Sequence, residues 1–130
     1  MKTTLSTFIA LLACCWGGSA MANGSNLLQQ CQQTLIIFDG GKSASTSDAA
    51  QCLGRLDGTI DGLEIARSTY STLGKKQLPD LFCWPDQLVT KDQTVRIVVK
   101  YLKEHPESLH MGESALVILA LIDAFPCQTK

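Results

Sequence analysis

The 130-residue chain carries 11 Lys and Arg against 12 Asp and Glu, a formal net charge of −1. That balance leaves no basic stripe for nucleic acid and no cationic excess for an anionic membrane surface. Hydrophobic residues make up 45% of the sequence, enough for one core in a domain of this size.

At the N-terminus Lys2 precedes a mostly apolar run from Leu5 to Trp16, and Ala20-Met21-Ala22 fits an A-x-A cleavage signal. Residues 1–22 therefore read as a secretory signal peptide, followed by one helical domain over 23–130. The expected location is the periplasm. A lipoprotein is the rival reading, since Leu11-Leu12-Ala13-Cys14 resembles a lipobox. Bulky Leu12 and the short apolar segment count against it. Cleavage after Ala22 removes only Lys2 among the charges and leaves a net charge of −2. It also removes Cys14 and Cys15, so four of the six cysteines remain: Cys31, Cys52, Cys83 and Cys127. An even number in an exported chain implies two disulfides, with three possible connectivities. Cys31–Cys52 and Cys83–Cys127 are preferred, because each pair joins the ends of a local helical hairpin. No Cys-x-x-Cys spacing occurs, which argues against a zinc or thioredoxin-like site.

The first predicted helix covers about Asn26 to Phe38, capped by Ser25 or Asn26. Leu27, Leu28, Cys31, Leu35 and Phe38 share one side of it. Asp39-Gly40-Gly41 ends it, and a Ser-rich loop over 42–47 follows. The second predicted helix spans about Asp48 to Leu73, with Ser47 or Asp48 as its cap. Leu53, Leu56, Ile60 and Leu63 form its apolar stripe. Gly54, Gly58 and Gly62 recur along another side. Each costs a helix about 1 kcal/mol relative to Ala, so three together suggest a backbone packed at close range or a bend. An incidental role is the alternative. Asp57, Asp61 and Glu64 lie at i, i+4, i+7 and read either as an acidic patch for a basic partner or as a solvated face. Calcium is disfavoured, since such sites draw oxygens from a loop.

Gly74 closes the second helix. The segment Lys75, Lys76, Gln77, Leu78, Pro79, Asp80, Leu81, Phe82, together with Trp84, reads as a protruding loop that docks into a partner's cleft. The competing reading has Phe82 and Trp84 covering the end of the helical core. Deletion of Leu78–Phe82 is expected to weaken docking without unfolding the protein. Thr90 and Gln93 form a capping box for a third helix to about Glu104, with Val95, Val98, Val99 and Leu102 on one face. Tyr101 sits at the edge of that face. Pro106 stops the helix and can open the first turn of a fourth, about Pro106 to Phe125. Ala115 to Ile122 is apolar all round. It is too short to span a bilayer and must be covered by three helices or by a second copy through a two-fold interface. The fold class is all-α: a compact bundle of about four helices stapled by two disulfides.

The run from Cys83 to Cys127 resembles the type VI secretion amidase-immunity proteins of the Tai/Rap type. The shared motifs are Cys83-x-Pro85, Val89-Thr90-x-x-Gln93, Lys100 through Glu107 and Phe125-Pro126-Cys127. A Cys52-x-Gly54-x-x-x-Gly58 segment matches more loosely. The family often has Gly-Tyr-aliphatic where this chain has Gly54-Arg55-Leu56, so no role of that Tyr carries over. The resemblance implies a homodimeric helical inhibitor that occludes the active site of a peptidoglycan amidase, with no cofactor and no metal.

Two other functions compete. A periplasmic chaperone or stress-binding protein would also be small, helical and cross-linked, but two His give it little of a pH switch. A hydrolase would pair Cys83 with His105 or His110. Free-thiol titration decides that reading, because a bridged Cys83 is no nucleophile.

Overall fold

A computed structural model describes residues 23–74 and 76–127. The signal-peptide reading of 1–22 and the residue Lys75 fall outside the described residues. Four α-helices follow in chain order: α1 Gly24–Phe38, α2 Thr46–Thr72, α3 Lys91–Glu104 and α4 Glu113–Ala124. Among the described residues there is no strand. No helix of the described residues is long and apolar enough to cross a membrane.

The helix starts follow their caps. Thr90 Oγ1 accepts from Gln93 N at 3.2 Å, as the sequence predicts. The first two helices begin earlier than expected. Asn23 Oδ1 accepts from Asn26 N, and Ser45 Oγ from Asp48 N, so Asn23 and Ser45 are the caps rather than Ser25/Asn26 and Ser47/Asp48. Any of these polar residues is a competent cap, and the docked turn decides which one acts.

The fourth predicted helix breaks in two. Pro106–Ser108 forms a 3-10 turn, and α4 starts only at Glu113. The carbonyl of Leu109 is spent on Gly24 N at 2.9 Å, which ties this connection to the start of α1. Gly24 is required there. A Cβ would lie 2.5 Å from Leu116 Cδ1 and 2.9 Å from Leu109 Cα.

One core joins all four helices: Leu27 and Cys31 of α1, Cys52 and Leu56 of α2, the α3 stripe, and Leu116, Val117, Ala120 and Leu121 of α4. Val95, Val98, Val99 and Leu102 are all buried, in agreement with their spacing. Phe38 is not, at 40% exposure. Its place in the interior is taken by Thr34, whose hydroxyl donates to Ala49 O at 3.1 Å and so costs little to bury. Both preferred disulfides are present, Cys31–Cys52 and Cys83–Cys127.

The close-packing expectation for the three glycines fails. A Cβ at Gly54, Gly58 or Gly62 would meet nothing within 4 Å, and all three lie on the exposed side of α2. Beyond Leu63 the last turns of α2 run past the core, leaving Ile65 and the C-cap residue Leu73 at 65% and 70% exposure.

Candidate partner-binding surface

The loop from α2 to α3 is held by three devices spaced along it. Arg67 Nη2 of α2 forms an ion pair with Asp80. Phe82 is buried among the core residues. Cys83 is bridged to Cys127, and its backbone N–H donates to Phe125 O at 2.9 Å. This loop is therefore pinned from within, not free-standing.

These anchors sort the loop residues named from sequence. Phe82 belongs to the core, as the competing reading had it, and deletion through Phe82 would remove a core side chain. Leu78 is half-buried, whereas Lys76, Gln77, Pro79 and Asp80 are exposed. Leu81 stands 43% exposed and Trp84 39% exposed. The Trp84 ring meets Phe82 edge-on at 5.1 Å and tilts against Phe125 at 5.3 Å. It is thus a fixed aromatic with one free flank. Between α2 and this loop lies a recess of about 250 Å³, lined by Ile60, Leu63, Leu81 and Trp84 together with Glu64 and Arg67.

Leu88 completes the surface and was missed by sequence reasoning. It is 90% exposed, the most exposed large apolar side chain of the described residues. Trp84 and Leu88 line one shallow depression with Pro85 and Val89. The available signal was weak: a Leu between Gln87 and Val89 just before the Thr90 cap fits no helical period. Single exposed apolar residues are also ordinary. Trp84 borders the recess with Leu81 and the depression with Leu88, so it links the two exposed leucines along the loop.

The acidic trio divides. Asp57 pairs with Lys91, while Asp61 and Glu64 are exposed. Among the described residues no three His, Cys, Asp or Glu side chains are grouped to hold a metal. Cys83 has its sulfur in the bridge. His105 stacks on Tyr101 at 4.3 Å and lies 3.1 Å from Glu107, and His110 Nδ1 lies 2.9 Å from Glu107 O. Glu107 is held below the ordinary carboxylate range, first by its own backbone N–H and then by His105. Both histidines sit before α4, whereas Cys83 meets the residues after it. A 12-residue helix puts about 18 Å between them. No Cys–His pair forms.

Residues 23–127 match the model of a family described as Rap1a immunity proteins. Neither a search of curated proteins nor one of solved structures returned a match.

Proposed function

Because the chain belongs to the Rap1a immunity family, we propose that it protects its producer by binding a type VI secretion effector. In this reading the effector is a peptidoglycan amidase, its active-site cleft is occluded, and the encounter takes place in the periplasm after export. The observation that carries the docking assignment is the pinned apolar face of Leu81, Trp84 and Leu88. Its rigidity matters as much as its area. A loop already fixed by a disulfide, a buried Phe and an ion pair has little conformational entropy left to lose on binding. Aromatic and aliphatic anchors in the middle of an interface carry most of its affinity.

The protein acts here by shape, so the cleft chemistry belongs to the effector. A second copy is proposed to cover apolar surface left over on the bundle, where Ile118, Leu119 and Ile122 of α4 are only partly buried. Co-expression with type VI secretion peptidoglycan amidases tests the whole reading. The cognate amidase should co-purify with the chain, and the mature protein should abolish cleavage of peptidoglycan peptides. Unimpeded cleavage at equimolar inhibitor would reject the amidase assignment. Light scattering on the same preparation should give twice the chain mass when the effector is absent, and a monomer would reject the dimer.

A further inference from the structure

The two disulfides differ in what can reach them. Cys31 and Cys52 have no exposed surface and lie inside the core. Cys83 is exposed, and Cys127 is partly so. Thiol–disulfide exchange needs a thiolate to approach a sulfur directly, so access governs its rate. Attack on Cys31–Cys52 must wait for the α1–α2 pair to open, whereas Cys83–Cys127 joins two residues that already reach the surface.

What the exposed bridge holds is equally specific. It joins the end of α4 to the docking loop across 44 residues of sequence. Besides it, the two segments share the Cys83 N–H to Phe125 O bond and the Trp84–Phe125 contact. Among the described residues no hydrogen bond ties 84–89 to a helix. The Arg67–Asp80 pair and the burial of Phe82 both act before Cys83 in the chain.

We propose that Cys83–Cys127 is a thiol-exchange site, at which a small thiol or a dithiol oxidoreductase reversibly unties residues 83–89 while Cys31–Cys52 keeps the bundle closed. The incoming thiolate forms a bond to Cys83 Sγ. The Cys83–Cys127 bond breaks, and Cys127 leaves as a thiolate that takes a proton from water. A second reductant thiolate then attacks the sulfur that caps Cys83 and displaces it as a thiolate, which is protonated in turn. Two electrons pass to the protein, giving two Cys thiols, and the reductant becomes its own disulfide. The consequence for inhibition rests on the docking assignment made above. An untied Trp84 and Leu88 must be re-ordered at the moment of binding, so affinity falls.

Graded dithiothreitol on the native protein, quenched with iodoacetamide and read by peptide mass, tests the site. The expected product carries the alkyl group on Cys83 and Cys127 with Cys31–Cys52 intact, formed roughly a hundredfold faster than the fully reduced chain. Amide exchange in that product should quicken over 83–89 and stay unchanged in α1 and α2. Simultaneous opening of both bridges would overturn the proposal, as would a selectively reduced protein with unchanged exchange over 83–89. The double variant Cys83→Ser, Cys127→Ser should reproduce the exchange pattern without reductant, and a folded variant with a quiet loop counts against it. A reduced protein whose loop is released but which still inhibits the amidase fully would sink the docking assignment and leave the exchange site standing.

Discussion

Glu113 is a carboxylate placed where a hydrophobic residue would be expected, with its side chain 3% exposed at the start of α4. Two features make that tolerable. It lies in the first turn, where the helix dipole favours an anion. Arg55 Nε of α2 sits 2.6 Å from its Oε2. Arg55 itself is 45% exposed, so the pair is asymmetric: the acid depends on the base far more than the reverse. Arg55→Ala should therefore cost about 1–3 kcal/mol by stranding a buried charge. Glu113→Gln, which keeps the shape and removes the charge, should cost less. Chemical denaturation of both variants checks the order, and an equal or reversed order contradicts the asymmetry. Arg55 also occupies the position at which the resembling family often has Tyr, and its ion pair gives the departure a physical role. None of this was legible from sequence. Arg55 and Glu113 are 58 positions apart, and neither spacing nor composition links them.

At the scale of the element, helix periodicity was the most readable signal. The α3 stripe is spaced at i, i+3, i+4, i+7 and is buried throughout. α4 was harder, because an apolar run has no polar face to set its phase, and Gly112 rather than Pro106 turned out to precede it. The glycines of α2 misled for a different reason. Gly recurring every four residues fixes a common face but says nothing about which neighbour meets it. The open space beside them makes a direct prediction. Gly54→Ala should stabilise the chain by about 0.5–1 kcal/mol, since it removes backbone freedom from the unfolded state and meets nothing in the folded one. Gly24→Ala should destabilise it, because its Cβ has no room beside Leu109 and Leu116. Thermal melts of the two variants should move in opposite directions, and a lower melting temperature for Gly54→Ala would show that its face is packed after all.

Across the whole molecule, the cysteines gave the most constraint for the fewest residues. Four of them in a chain read as exported, with helical hairpins between them, predicted two local bridges, and both are present. By loop length, on a model-dependent entropic argument, they contribute about 3 and about 4 kcal/mol respectively. Their placement divides the labour. The buried bridge closes α1 on α2, and the exposed one fixes the loop. The candidate site was legible only in part. Composition marked the 75–84 segment as apolar for a loop, but burial separates Phe82, which holds it, from Leu81 and Trp84, which it presents. Leu88 enters only once the chain is folded, because its neighbours across the face come from earlier in the loop.

The most direct test replaces what the loop presents and leaves what holds it. A Leu81→Ser, Trp84→Ser, Leu88→Ser variant retains Phe82, Asp80 and both disulfides. Its inhibition constant should be measured against the effector that co-purifies with the natural chain, with circular dichroism to verify the fold. Loss of two or three anchor residues is worth roughly 3 kcal/mol or more, so inhibition should weaken by at least about a hundredfold. A folded variant that inhibits as well as the natural chain would contradict the account.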